Sequence, residues 1–197
     1  MNNWLSPTTL RGKKVTLRPL QLSDKPALLT AAADGDLWDI WYTSVPNTER
    51  VDAYLNTALA EHVRGEGIPF VVINNDTKKV IGTTRLCNAD TKNRRLEIGY
   101  TWYAKSYQRT GVNTECKHLL LQYAFEQLNC IAVIFRTNWH NHPSRRAILR
   151  LGAKQDGVLR NHRIDADGSY RDTVVFSIIE SEWKGVKKAL RFMMEKR

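Results

Sequence analysis

No run of about 18 consecutive apolar residues occurs in the chain, so the sequence offers no candidate for a membrane-spanning helix. Cysteine is scarce and scattered: Cys87, Cys116 and Cys130 stand apart with no CxxC spacing. That spacing excludes a disulfide framework and a cysteine-based zinc site. It leaves three small buried hydrophobes of a reducing compartment. The opening residues 1–7 lack the apolar run of a signal peptide. Internal repeats, low-complexity tracts and linkers are absent, as are zinc-finger, RNP and helix-turn-helix signatures. The expectation is a soluble cytoplasmic protein whose 197 residues suffice for one domain with its own core.

What is present in excess is positive charge, and it is localised. The formal net charge is +10. Residues 136–163 hold seven basic side chains against one acid, and residues 181–197 hold six against two, while the remainder balances. Such a field steers an anionic partner, whether a polyphosphate cofactor, RNA or an acidic protein. For the C-terminal tail a solvated helix face explains the charge equally well.

Residues 13–19 alternate and predict a first strand. Ser23 offers an N-cap for a helix to about residue 34, and residues 36–43, with Trp38, Trp41 and Tyr42, read as a short helix or loop. Thr48 caps a longer helix that the Gly65-Glu66-Gly67 break ends. Residues 69–73 and 80–86 predict a hairpin across Asn74, Asn75 and Asp76. Residues 95–103 predict a strand in which Gly99 marks a bulge or a close backbone approach. Residues 114–128 form an amphipathic helix with Cys116, Leu119, Leu120, Tyr123, Ala124 and Leu128 inward. A short strand follows at 131–136, and Pro143 and Ser144 open a helix that Gly152 stops. Strands at 154–160 and 172–179 flank a turn at 165–168, and Ser181 with Glu182 opens the final helix. The partition is an N-terminal extension (1–12), one α/β domain (13–180) and a basic C-terminal helix (181–197).

Between a strand and a helix stands Gln108-Arg109-Thr110-Gly111-Val112-Asn113. Backbone N–H groups in such a loop, reinforced by the helix N-terminus, make an anion site suited to phosphate. A one-glycine loop alone has little specificity; its order in the chain supplies more. An LEIGY strand (Leu96 to Tyr100) precedes it, and an amphipathic helix, a short strand, Asn141-His142-Pro143-Ser144 and then Leu151-Gly152-Ala153 follow. This ordered set resembles the GNAT superfamily of acetyl-CoA-dependent N-acetyltransferases. The runs WYAKSYQRTGVNTE and GVLRNHRIDADGSYRDTVVFSIIESEW are similar to its RimJ/RimL-type branch.

The resemblance covers the chain from about Lys13 onward and implies a mixed, mostly antiparallel sheet with one splayed strand, flanked by helices. It implies acetyl-CoA as cosubstrate, without a metal. Tyr100, Thr101, Trp102 and Tyr103 would line the pantetheine through their strand, and Gln108, Arg109, Thr110, Gly111, Val112 and Asn113 would hold the pyrophosphate. Asn141 would hydrogen-bond the pantetheine, and Ser144 would lie close enough to the thioester sulfur to protonate the thiolate. Arg145 and Arg146 are further candidates for the phosphates. Two positions depart from the family pattern. Asn113 replaces a small residue at the end of the loop, and Ile148 stands where many members carry a tyrosine acid.

The implied reaction is attack of a neutral amine on the thioester in a ternary complex. Glu97 is the candidate base, with His140, His142 or water as alternatives. Trp38, Trp41 and Tyr42 are candidates for the acceptor pocket, with Asp36 and Asp39 placed to attract an ammonium. An α-amine, which titrates at about 7.7–8.0, asks less of a base than a lysine near 10.4. The branch implies a protein N-terminal α-amine, of ribosomal-protein type, as acceptor. Small amines, or a non-catalytic acyl-CoA- or RNA-binding module, are the alternatives. Homodimerisation is left open, and neither a membrane nor nucleic acid is implied as partner.

Overall fold

The computed structural model describes residues 4–196. The first three residues of the expected N-terminal extension, and residue 197 of the C-terminal helix, lie outside them. Eight strands of the described residues form one sheet: β1 (Leu10–Arg11), β2 (Val15–Pro19), β3 (Ile68–Asn74), β4 (Val80–Asp90), β5 (Arg95–Tyr103), β6 (Ala132–Asn138), β7 (Lys154–Ile164) and β8 (Tyr170–Ile179). Their spatial order is β1-β2-β3-β4-β5-β6-β8-β7, and every neighbouring pair is antiparallel except β5 and β6. The helices are α1 (Lys25–Ala33), α2 (Val51–Val63), α3 (Val112–Gln122), α4 (His142–Arg150) and α5 (Glu180–Glu195). None of them is long and apolar enough to cross a membrane.

The strand sequences alternate between two faces, and each face has its own core. Leu17, Phe70, Leu86, Leu96, Phe135, Val174 and Phe176 pack with Cys116, Leu120 and Leu121 of α3 and Trp183 and Leu190 of α5. On the other face Val71 and Trp102 pack with Leu28 and Ala32 of α1 and Leu55 and Ala58 of α2. Strand β3 is covered on both sides, so it reads as a nearly continuous apolar run. The basic C-terminal helix buries Trp183, Val186 and Leu190 and exposes Lys184, Lys188 and Arg191, the solvated-face arrangement.

Several boundaries moved for local reasons. Asp24 replaces Ser23 at the head of α1, where its carboxylate accepts from the Gln21 amide at 2.8 Å and pairs with Arg18 at 2.6 Å. Asn47 replaces Thr48 ahead of α2, its Oδ1 accepting from the Arg50 amide at 3.1 Å. Helix α3 begins two residues early because Gly111 serves as its N-cap in the left-handed region (φ +95°). Its C-terminal end passes into a π-helical turn at Tyr123–Gln127.

One buried carboxylate ties the sheet edge to α3. Glu115 accepts from the backbone amides of Lys13, Lys14 and Val15 at 2.9, 2.8 and 2.9 Å. A Cβ on Gly12 would come within 2.7 Å of the Glu115 carboxyl carbon, so the close approach requires glycine there. Glu115→Ala strands three amides and is expected to cost about 3 kcal/mol or more. Urea unfolding measures it; a loss below about 1 kcal/mol would show that water replaces the carboxylate.

Candidate active site

Strands β5 and β6 pair over only three positions: Arg95 with Ala132, Leu96 with Val133 and Glu97 with Ile134. Beyond Glu97, β5 stays with β4 as far as Tyr103, and β6 stays with β8 as far as Asn138. A bulge bends β5 at this point. Between the pairs Gly99–Arg85 and Trp102–Thr83, residues Tyr100 and Thr101 stand against Thr84 alone, and Tyr100 adopts φ +50°. The bulge thus lies one residue beyond the expected Gly99. Gly99 instead provides the close approach: a Cβ there would lie 3.3 Å from both Cys87 Sγ and Glu97 Oε1.

The side chains around the bulge are committed elsewhere. Trp102 fills the α1–α2 core, and Tyr103 fills the other core, its hydroxyl donating to Asn113 Oδ1 at 3.2 Å. Thr101 turns toward Lys117, and the Tyr100 ring lies against Arg85. What residues 98–103 offer the opening is therefore backbone, a strand edge left unpaired by β6.

At the far end of β5 the loop is fixed by its own hydrogen bonds. Gln108 Nε2 donates to Tyr103 O at 3.0 Å, Thr110 Oγ1 to Tyr107 O at 2.7 Å, and Lys14 Nζ to Thr110 O at 3.3 Å. Arg109 (φ +63°) and Gly111 (φ +95°) both take left-handed conformations. Left-handed residues of this kind favour a concave run of N–H groups, and the loop stands at the positive end of α3. Asn113, the departure from the small family residue, is occupied as acceptor for Tyr103 and leaves these backbone donors intact.

Across the opening, Asn141 caps α4 by accepting from the Ser144 amide at 3.1 Å, which leaves its side-chain N–H₂ as a donor. Ser144 is half-buried in the first turn of α4. Ile148 is buried in the main core, so no acid is presented from that position. Arg145 lies over the Trp139 ring at 4.3 Å and Arg150 donates to Thr114 Oγ1 at 3.0 Å, which divides the basic stretch among separate tasks.

On the face shared with α2, Glu97 is 7% exposed. Its Oε2 accepts from Asn88 Nδ2 at 2.9 Å and from Arg136 at 2.5 Å, while Oε1 points past Gly99 toward the bulge. Arg85, 3% exposed, is clamped between the Tyr54 and Tyr100 rings at 4.6 and 4.1 Å and pairs with Glu61 at 3.2 Å. Trp41 is exposed, 5.3 Å from the Tyr42 ring and 5.6 Å from His140, so the loop before α2 meets the end of β6. Trp38 packs partly into the α1–α2 core, and His142, Asp36 and Asp39 are exposed.

This divergence of two central parallel strands, with a cradle of amides at one end, agrees with sequence comparison: a family profile described as an acetyltransferase (GNAT) domain matches residues 14–154. The chain belongs to the GNAT family. It is an acetyltransferase. A Bacillus subtilis (strain 168) protein named "Putative ribosomal N-acetyltransferase YdaF" is 30% identical over 151 residues, covering 75% of this chain and 80% of the relative. A crystal structure of an acetyltransferase described as "putative", from T. thermophilus, superposes with a TM-score of 0.84 at 32% identity, covering 97% of this chain and 99% of that one. Mycobacterium smegmatis RimJ in complex with CoA-disulfide shares the fold, with a TM-score of 0.80 at 21% identity and 95% coverage of each chain.

Sequence reading missed several groups of this GNAT site. Asn88 bonds Glu97, and Arg85 and Tyr54 stack beside the bulge residue Tyr100; the one local clue was an arginine inside the apolar run of β4. Lys117 is 5% exposed beneath the bulge, its Nζ 2.5 Å from Thr101 Oγ1 and 3.3 Å from Thr84 Oγ1. Burial pushes this ammonium from 10.5 down to about 8. Thr101 Oγ1 also donates to Gly99 O at 3.3 Å, so Lys117 supports the bulged segment from below.

Proposed function

We propose that this GNAT enzyme acetylates a protein N-terminal α-amine from acetyl-CoA, by direct attack in a ternary complex. The observation that carries the reading is the β5–β6 opening beyond Glu97, with backbone edges along it, the Gly111 amide cradle at one end and Glu97 at the other. The residues present fit acetyl-CoA: an extended arm can add to the free edge of β5, and the α3 N-terminus with Arg109 suits its phosphates. Acetyl-CoA, when bound, supplies an activated acyl carbon and a thiolate leaving group. Asn141 Nδ2 is the proposed donor to the arm, and the backbone of the bulge is the proposed donor for developing oxyanion charge.

Glu97 is the proposed base, through Oε1 or a water held by it, since Asn88 and Arg136 fix the carboxylate through Oε2. Ser144 is the proposed proton donor, because Ile148 takes the place of a tyrosine. Direct attack is supported by the thiols. Cys87, opposite Glu97 in the ladder, has its pKa raised by burial and then by Glu97, so it stays protonated and is a poor nucleophile. The relative named as a ribosomal N-acetyltransferase favours a ribosomal amine as acceptor.

The test is thiol release from acetyl-CoA with lysine-containing peptides bearing free or blocked N-termini. Release with the free peptides alone supports the reading. Release with both would assign the enzyme to side-chain amines, and release with small amines alone would refute a protein acceptor. Ser144→Ala is expected to lower kcat by about 10²-fold with little change in acetyl-CoA affinity; equal losses would make Ser144 a positioning residue. Glu97→Gln is expected to lower kcat and change the shape of the pH–rate profile. An unchanged profile would pass the role to water or His140.

A further inference from the structure

The face of the sheet that carries Glu97 holds a second charged group that acetyl transfer does not use. In β7, Leu159 stands opposite Thr173 and Arg163 opposite Arg171, so residues 160–162 answer to Asp172 alone. This wide bulge is held by specific bonds. Asp172 accepts from Arg160 Nε at 2.6 Å and from the Asn161 amide at 2.7 Å, and Asn161 takes φ +48°. A regular ladder would set Asn161 opposite Arg171. The bulge sets Arg163 there instead, and like charges directly opposite on one face are destabilising.

Among the described residues neither guanidinium forms an ion pair, whereas its neighbours do. Arg85 pairs with Glu61 at 3.2 Å, Arg136 with Glu97 at 2.5 Å and Arg160 with Asp172 at 2.6 Å. Arg171 is half-buried, and its Nε is buried without a hydrogen-bond partner. Burial and then Arg163 lower its pKa, and Asp165 is the carboxylate that opposes them. Both arginines act on Tyr100, the bulge residue of β5, whose ring already carries Arg85. In β8, Arg171 shares a face with Val175, which stands opposite Arg136, the partner of Glu97, so the surplus charge lies on the Glu97 side of the sheet.

We propose that Arg163 and Arg171 form an anion subsite of the acceptor pocket, so that the preferred acceptor is an amine carrying a carboxylate a few bonds further along. The inference rests on the acetyl-transfer reading of the opening. A carboxylate seated between the two guanidinium groups accepts from both, supplies Arg171 Nε with its missing partner and relieves their repulsion. In a protein acceptor it belongs to an acidic residue just behind the N-terminal amine, and the net charge of +10 speeds encounter with such a chain. A small acidic amine carries the same chemistry.

The experiment compares thiol release from acetyl-CoA with two free-N-terminus peptides that differ only in Asp-Glu or Asn-Gln at their second and third positions, and with free glutamate. Wild type is expected to favour the acidic peptide by about tenfold in kcat/KM, mainly through KM. Arg171→Gln and the exposed Arg163→Gln are each expected to reduce that preference to about twofold or less. Glutamate preferred over both peptides, with the same loss in the variants, supports the subsite and places its ligand among small molecules. Equal wild-type rates on the two peptides overturn the subsite and leave acetyl transfer standing. Absence of turnover with every amine overturns the acetyl-transfer reading. Calorimetry of the acidic peptide on CoA-loaded protein then decides the subsite: weaker binding in Arg163→Gln supports it, and unchanged binding overturns it.

Discussion

Gly111→Val is expected to weaken acetyl-CoA binding by at least about 100-fold in calorimetry, while the melting temperature stays within a few degrees of wild type. Gly111 is the N-cap of α3 at φ +95°, where a β-branched residue meets its own carbonyl. Valine must either rotate the peptide planes on each side of it or unwind the first turn of α3. Both routes turn away the amides proposed to cradle the phosphates, and neither disturbs the core contacts of Cys116, Leu120 and Leu121 further along the helix. A normal dissociation constant would show that the phosphates bind elsewhere and that Gly111 only terminates a loop.

Lys117→Met is expected to stabilise the protein at neutral pH by roughly 3 kcal/mol, or about 5–10 °C in melting temperature. The sign follows from the protons. Below about pH 8 both the folded and unfolded chains carry the ammonium, and the folded chain bears the full penalty of burying it. Between about 8 and 10.5 the unfolded chain keeps a proton that the folded chain has lost, so the contribution of Lys117 rises with pH. Methionine fills the same space without charge, and Thr84 and Thr101 still bond one another at 2.7 Å. The buried thiols act in the opposite direction at high pH; burial pushes Cys116 and Cys130 up to about 12, so unfolding releases their protons. The readout is therefore the difference between variant and wild type, which is expected to shrink from pH 7 to 10. A variant less stable than wild type at pH 7 would show that the ammonium is compensated.

Much of the frame was legible because its signals are local. The bounds of β5 came out as Arg95–Tyr103, since alternation is interrupted on one side by a polar turn and on the other by the loop. Gly152, at φ +96°, follows a helix C-terminus, where a left-handed residue is favoured, and Gly111, at φ +95°, makes the tight turn from the loop into α3. The order of β5, loop, α3, β6 and α4 carried the family resemblance. What escaped depends on partners distant in sequence. Cys116, Lys117 and His118 are consecutive, so one amphipathic stripe cannot contain them all; they are all buried because α3 packs against both the sheet and α5. Glu97 was legible as a candidate base, but its bonds to Asn88 and Arg136 appear only once three strands align. The bulge that brings Arg163 beside Arg171 is held by Asp172 from the next strand, and alternation within β7 contains no trace of it.

The central claim is that the unpaired edges beyond Glu97 form the cofactor cleft, and amide hydrogen exchange with and without CoA tests it most directly. Protection is expected at residues 98–103 of β5, 135–138 of β6, 108–113 of the loop and the first turn of α4. Unchanged exchange there, with protection instead in the groove lined by Ile134, Val175 and Ser177, would contradict the account.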